Sequence, residues 1–114
     1  METENILYTD GSCIGNPGPG GWASIIIIND IKTTLSGSDE ETTNNKMEIT
    51  AVIKGLEQFP ENSSVKIFTD SEYVINTMTK NWKRNTNLDL WNRLDSLVIN
   101  RTIEWNWVKG HSGN

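Results

Sequence analysis

Apolar and polar residues follow two different periods along this chain, and each change of period marks a structural element. Short apolar runs rich in β-branched residues predict five strands, over 6–9, 22–28, 31–37, 65–69 and 103–108. Apolar residues recur every three or four positions in three other stretches, and this period predicts helices. We expect these helices to begin at Thr43 or Asn44, at Glu72 and at Leu88. The alternation of strands and helices is typical of an α/β fold.

The first three predicted strands are joined by short connections and should form an antiparallel meander. Gly, Pro and Asn fill 15–21, which predicts a turn-rich loop, and Asn29 and Asp30 predict a tight turn. The four isoleucines at 25–28 favour a central strand buried on both faces, whereas 31–37 alternates weakly, as an edge strand does. We read 38–45 as a polar turn. A right-handed crossover through the first helix then places strand 4 parallel to strand 1.

Composition limits the size and location of the protein. The 114 residues, 35% of them hydrophobic, fit a single domain over 1–114. The net charge of −5 has the wrong sign for a protein that holds phosphates by bulk electrostatics. Cys13 is the only cysteine, and no apolar run is long enough for a membrane span. We therefore expect a cytoplasmic protein without an internal disulfide.

Three acidic residues are candidates for chemistry. Asp10 and Asp70 each follow a threonine at a predicted strand end, and Glu48 lies in the first two turns of a predicted helix. Taken alone, Asp70 is better interpreted as a helix cap, and a glutamate at position 48 commonly just complements the helix dipole. If strands 1 and 4 are neighbours, however, the three carboxylates converge and repel one another unless a cation joins them. Oxygen ligands of this kind favour Mg²⁺ or Mn²⁺.

A series of motifs runs in one order over nearly the whole chain and makes it resemble the type 1 ribonuclease H family, whose members cleave the RNA strand of RNA–DNA hybrids. The matching segments are Tyr8-Thr9-Asp10-Gly11-Ser12-Cys13 with 15–21, Thr42-Thr43-Asn44-Asn45-Lys46-Met47-Glu48, Thr69-Asp70-Ser71-Glu72-Tyr73-Val74, Asp89-Leu90-Trp91, and Trp107-Val108-Lys109-Gly110-His111-Ser112-Gly113-Asn114. The resemblance implies a ribonuclease H-like fold, with a five-stranded mixed sheet in the order 3-2-1-4-5 flanked by helices.

The resemblance also implies a mechanism. Asp10, Glu48 and Asp70 match the family's catalytic, metal-binding carboxylates, which would hold two Mg²⁺ or Mn²⁺ ions with substrate bound. These ions would activate a water and stabilise the leaving 3′-oxygen, which gives 5′-phosphate products. His111 matches a catalytic histidine that assists proton transfer or product release. Residues that match substrate-binding positions are Gly11, Ser12, Cys13, Asn16, Thr43, Asn44, Asn45 and Ser71.

The chain departs from the family pattern in two places. The family has a longer basic segment, a substrate handle, where this chain keeps only Trp82-Lys83-Arg84. The family also continues beyond 114 into a helix that carries a fourth carboxylate. We expect hybrid binding to be weak and to depend on divalent metal. The chain is then a natural short form, a truncated piece of a longer protein, or a form in which a partner chain or dimer supplies the missing element. The alternative function is a catalytically impaired domain that binds hybrids or is completed by a partner. A nuclease of the integrase or resolvase type is a further reading, against which the segment 43–48 beside a Gly-Pro loop argues.

Overall fold

The computed structural model describes residues 4–109 and consists of one five-stranded sheet with three helices. The elements, in chain order, are β1 (Asn5–Cys13), β2 (Gly18–Ile28), β3 (Ile31–Thr42), α1 (Asn44–Leu56), β4 (Ser64–Thr69), α2 (Glu72–Lys80), α3 (Leu88–Val98) and β5 (Thr102–Trp107). The strand order is β3-β2-β1-β4-β5. The first three strands pair antiparallel, and β4 and β5 run parallel to β1. This arrangement confirms the predicted topology.

The meander strands are longer than their apolar patterns predicted. β1 continues through Asp10 to Cys13, so the prediction that Asp10 ends its strand was wrong. β2 already begins at Gly18, and β3 continues to Thr42, so most of the predicted loop at 15–21 and of the predicted turn at 38–45 is strand. The reason is the ladder, which pairs these weak strand formers with a neighbouring strand, as Cys13 with Gly20 and Gly20 with Asp39.

Two local predictions about β3 and its turn were correct. Asn29 and Asp30 have φ values of 54° and 66°, the left-handed geometry of a two-residue hairpin turn. β3 lies at the edge of the sheet.

Capping side chains set the beginnings of α1 and α2. Thr43 caps α1, where its Oγ1 accepts a hydrogen bond from the Lys46 N–H at 3.2 Å. Ser71, and not Asp70, caps α2 by accepting from the Val74 N–H at 3.1 Å. The carboxylate of Asp70 is therefore not the helix cap that one reading of the sequence assigned to it. α3 has the predicted bounds and buries Trp91, Leu94 and Leu97.

The core lies between the three helices and one face of the sheet. Leu7 and Ile67 of neighbouring strands are buried against α1 residues such as Val52 and Leu56. α1 lies so close to β1 that a Cβ on Gly55 would collide with a methyl carbon of Leu7. Within the described residues, all three helices contribute to this single core.

The opposite face of the sheet is covered by none of these helices. Ile25 of β2, Tyr8 of β1 and Phe68 of β4 lie side by side on it, and the rings of Tyr8 and Phe68 stack at 5.0 Å. Tyr8 remains 42% exposed. The prediction that the four isoleucines are buried on both faces was therefore wrong, since only Ile26, which points to the helices, is fully buried.

The segment Trp82-Lys83-Arg84, which stands where the family has its basic handle, is only partly available on the surface. Trp82 and Lys83 are exposed, but Arg84 pairs with Asp95 at 2.6 Å and lies over the ring of Trp91. Arg84 thus fastens the α2–α3 connection to α3.

Among residues 4–109, no helix is both long and apolar enough to cross a membrane.

Candidate active site

The three predicted carboxylates come together at one end of the sheet. Asp10 lies on β1, Glu48 in the second turn of α1, and Asp70 directly after β4. Each offers a carboxylate oxygen, and these oxygens all lie within 4.8 Å of one another. All three residues are half-buried, so the cluster is open to a ligand on one side.

Strand pairing explains why the two aspartates are neighbours. Thr9 and Thr69 are partners in the last pair of the parallel ladder between β1 and β4, and an aspartate follows each of them. Beyond that pair β4 ends, while β1 continues along β2 with Asp10 opposite Ala23. The two carboxylates therefore lie where the backbones of β1 and β4 begin to diverge.

Gly11 allows the third carboxylate to join them. A Cβ on Gly11 would lie 2.5 Å from the carbonyl carbon of Met47 and 2.6 Å from the amide nitrogen of Glu48. Both are backbone atoms, which cannot rotate away, so only glycine permits this approach of β1 to α1. The contact places Glu48 beside Asp10.

The peptide group after Asp70 is held by its surroundings. The Ser71 N–H donates to Thr69 Oγ1 at 3.1 Å, and the indole Nε1–H of Trp107 donates to the Asp70 carbonyl at 3.2 Å. In addition, the Val108 N–H donates to the Thr69 carbonyl at 2.9 Å. The end of β5 is thus bonded to the segment that carries Asp70.

Burial and charge repulsion raise the pKa of Glu48 to about 8. Desolvation is the largest cause, followed by the negative charges of Asp70 and then Asp10, while a hydrogen bond from the Gly11 backbone opposes them. Glu48 Oε1 and Asp70 Oδ1 are buried and have no hydrogen-bond partner among the described residues. Three oxygen donors of this kind, two with an unpartnered atom, fit a hard divalent cation.

Four predicted substrate residues form an exposed rim next to the cluster. Ser12, Asn16, Asn44 and Asn45 are all exposed to solvent. Asn16 Oδ1 accepts a hydrogen bond from the Asn44 N–H at 3.0 Å, which joins the 14–17 connection to the start of α1. Ser12 lies two residues after Asp10 on β1, and Asn44 and Asn45 lie about one turn before Glu48 on α1.

The other predicted substrate residues have structural contacts. Gly11 is buried, and Thr43 and Ser71 accept capping hydrogen bonds. The thiol of Cys13 donates to the Gly15 carbonyl at 2.9 Å. Substrate contacts at these positions stay predictions. His111 lies outside the described residues.

The site includes one residue that sequence reasoning missed. The sequence places Trp107 in a strand and at the start of the matching segment 107–114 but predicts no contact for it, because alternation reveals the face of a side chain and not a hydrogen bond to a distant carbonyl. Its partner, Asp70, is 37 residues away. The packing role of Gly11 was also missed, although a glycine directly after a candidate ligand was a usable signal.

A shallow apolar cleft adjoins the carboxylates on the open face of the sheet. Its volume is about 310 Å³, and Asp10 and Asp70 form one end of it, with Tyr8, Phe68 and Val108 along its walls. The two aspartates of the cluster are therefore accessible from this cleft.

Comparison with known proteins agrees with this geometry. The RNase H family model matches residues 2–114. A Ribonuclease H of Rhodopseudomonas palustris is 45% identical over an alignment 122 residues long, which covers 96% of this chain and 79% of that protein. The N-terminal RNase H domain of a Mycobacterium tuberculosis protein superposes with a TM-score of 0.83 at 24% identity, over 97% of this chain and 86% of that one. LC11-RNase H1, solved in complex with an RNA/DNA hybrid, has a TM-score of 0.75 at 25% identity, over 91% and 86% of the two chains. The chain belongs to the type 1 ribonuclease H family.

Proposed function

We propose that this protein is a metal-dependent endonuclease that hydrolyses the RNA strand of RNA–DNA hybrids and leaves 5′-phosphate ends. The observation that carries the proposal is the cluster of Asp10, Glu48 and Asp70, whose carboxylate oxygens lie within 4.8 Å of one another. The family to which the chain belongs and the names of its relatives support the reaction class.

In this proposal, the three carboxylates hold two Mg²⁺ or Mn²⁺ ions when substrate is bound. Such ions activate a water and stabilise the charge that develops on the leaving 3′-oxygen. Glu48 must lose its proton to act as a ligand, because its pKa is raised to about 8 in the metal-free cluster. Asp10 and Asp70 provide the negative charge that makes the site attractive to a cation, and Gly11 keeps Glu48 within reach of it.

We assign the selection of hybrid over other duplexes to the exposed rim beside the carboxylates. Amide groups of Asn16, Asn44 and Asn45, with Ser12, can exchange hydrogen bonds with 2′-hydroxyls across a shallow minor groove, which distinguishes RNA from DNA without reading base sequence. The exposure of these side chains supports this role, as does the hybrid bound by LC11-RNase H1. Since the net charge is −5, affinity must come from these local contacts and from bound cations.

Three finer assignments complete the proposal. His111 assists proton transfer or product release. Thr43, with Asn16, holds a DNA-strand phosphate, and Gly11, Cys13 and Ser71 contribute backbone or indirect contacts to substrate. The protein acts in the cytoplasm, in keeping with a single cysteine and no disulfide. A dimer or partner chain stays a prediction, which light scattering of the purified protein tests.

Cleavage of labelled duplexes tests the function. A hybrid labelled on its RNA strand is incubated with the protein beside matched RNA and DNA duplexes, in Mg²⁺, Mn²⁺ or EDTA. We expect cutting of the hybrid's RNA strand only, dependent on metal, with 5′ ends that accept a new phosphate label only after phosphatase treatment.

A Glu48→Gln variant purified in the same way controls for nucleases of the expression host. This variant keeps the size of the side chain but loses a ligand charge, so it should be inactive. Cutting of pure RNA or DNA duplexes would contradict the substrate assignment. Failure of a folded wild-type protein to cut under either metal would favour the alternative of a domain that binds hybrids or awaits a partner.

A further inference from the structure

Trp107 makes an unusual contact for a tryptophan at the end of an edge strand. Its side chain is 51% exposed, yet its Nε1–H donates to the backbone carbonyl of Asp70 at 3.2 Å. A half-exposed indole could satisfy its donor with water. Here the donor is instead directed to the residue that carries a candidate metal ligand.

The bond completes the fixation of one peptide group. The Asp70 carbonyl and the Ser71 N–H belong to the same peptide unit, which is planar. Trp107 bonds its oxygen and Thr69 Oγ1 bonds its nitrogen, so both ends of the unit are held. With both ends of the unit hydrogen-bonded, rotation of the Asp70 backbone about ψ is restrained, which narrows the directions open to its side chain.

The neighbouring tryptophan on the same strand shows a different use of the same residue type. Trp105 is more buried and packs against the helices. Trp107 instead lines a surface groove with Glu72, Ile75, Asn76 and Lys80 of α2. Trp105 therefore serves packing, and Trp107 has both an exposed ring and a specific hydrogen bond.

We propose that Trp107 is a positioning residue that aims Asp70 at the metal through the bond between its indole N–H and the Asp70 carbonyl. This inference rests on the proposed role of Asp70 as a metal ligand. Groups that orient a ligand in this way commonly contribute between about tenfold and a hundredfold to metal affinity. Because Trp107 acts on the backbone and not on the carboxylate, we expect about tenfold.

Substitution of Trp107 by phenylalanine tests the proposal, because it removes the N–H and keeps an aromatic ring. The matched control is Trp105→Phe, the same change two residues earlier on β5. For each protein, the melting temperature is measured without substrate in EDTA and over a series of Mn²⁺ concentrations, and metal affinity is obtained from the rise. The Mn²⁺ dependence of hybrid cleavage is measured in parallel.

We expect Trp107→Phe to require about tenfold more Mn²⁺ for the same rise in melting temperature and for half-maximal cleavage, with little loss of rate at saturating Mn²⁺. Trp105→Phe should lower the melting temperature in EDTA and leave the Mn²⁺ dependence unchanged. A Trp107→Phe protein with the wild-type Mn²⁺ dependence would overturn the proposal.

A second variant keeps the proposal testable if Trp107→Phe does not fold. Thr69→Val removes the hydrogen bond at the other end of the same peptide unit and should shift the Mn²⁺ dependence in the same direction. An unchanged dependence in this variant would likewise overturn the proposal. The melting experiment uses no nucleic acid, so it gives its answer even if the wild-type protein fails to cut hybrids.

Discussion

The same dipeptide, Thr-Asp, occurs at 9–10 and at 69–70, and the two copies lie side by side on neighbouring parallel strands. Their surroundings differ. Asp10 lies inside a strand that continues for three more residues and is paired with Ala23. Asp70 lies beyond the end of its strand, in the junction before α2.

This difference shows two ways of holding one kind of side chain. The backbone of Asp10 is fixed by the antiparallel ladder, which depends on no particular side chain. The backbone of Asp70 is fixed by the side chains of Thr69 and Trp107, followed by the cap of Ser71. We therefore expect the position of Asp70 to be sensitive to changes in its neighbours, and that of Asp10 to be sensitive mainly to backbone crowding.

Removal of either carboxylate charge should have the largest effect on hybrid cleavage. The loss should be similar for Asp10 and Asp70, because both act as metal ligands in the proposed function. We expect Asp10→Asn and Asp70→Asn each to lower hybrid cleavage by about a hundredfold or more, since loss of a ligand costs at least as much as loss of a group that orients one. Single-turnover cleavage measures the effect. The melting temperature in EDTA should not fall, because each change relieves repulsion. Substantial turnover by one variant would show that its aspartate is not a ligand.

Crowding of the backbone next to Asp10 should have the second largest effect on cleavage. Gly11→Ala forces a Cβ to within 2.5 Å of the Met47 carbonyl carbon, so α1 must move and carry Glu48 away. We expect a loss of about 1–3 kcal/mol in the free energy of unfolding, with reduced cleavage. Urea denaturation measures the stability. Gly21→Ala, whose nearest atom would be 3.3 Å away, is the control and should cost much less. Equal costs would contradict the close approach at Gly11.

The two threonines offer a direct test of the comparison. Thr69→Val leaves the buried Ser71 N–H without its acceptor and should cost about 1–2 kcal/mol in urea denaturation. Thr9 Oγ1 is buried without a partner among the described residues, so Thr9→Val should leave stability unchanged or raise it. If both variants lost the same stability, the hydroxyls of Thr9 and Thr69 would contribute equally, and the two Thr-Asp copies would not differ in how their backbones are fixed.

The pH dependence of the metal-free protein tests the comparison in a different way, through the charge on Glu48. Because the pKa of Glu48 is raised from 4.5 to about 8, the folded state keeps a proton that the unfolded state has lost. This contribution to stability is fully present below pH 4.5 and is lost as the pH rises towards 8. The melting temperature in EDTA should therefore fall over this range by more in the wild type than in Glu48→Gln.

The same titration compares the two aspartates. Asp70 raises the pKa of Glu48 more than Asp10 does, so Asp70→Asn should flatten the profile more than Asp10→Asn. The opposite order would indicate that Glu48 interacts mainly with Asp10.

The antiparallel meander, the parallel pairing of β1 with β4 and the two strand-end aspartates could be predicted because local patterns determine them, whereas the full strand order and the role of Glu48 were implied by the family resemblance. The apolar run of β4, the period of α3 and the threonine cap of α1 are each encoded within a few residues. The repeated Thr-Asp and a single crossover rule were enough to bring Asp10 and Asp70 together.

Features that depend on distant partners could not be predicted in this way. The strand at 38–42 has a polar sequence and exists because β2 pairs with it. The open face of the sheet, which leaves Ile25 only half-buried, follows from the placement of all three helices on the other side. The bond between Trp107 and Asp70 joins two elements that no local pattern relates.

The hydrogen bond between Asn16 and Asn44 fixes the 14–17 connection relative to the start of α1, and α1 fixes the distance between recognition and chemistry in the proposed enzyme. Asn45 and Glu48 belong to one rigid helix and are three residues apart, roughly 4.5 Å along its axis. Asn45, which would contact a 2′-hydroxyl, and Glu48, which would hold the metal, therefore keep a constant spacing. The bond to Asn44 holds Asn16 at a fixed position relative to both. On the proposed function, the bond that is cut lies at a set distance from the sugar that is recognised, whatever the base sequence.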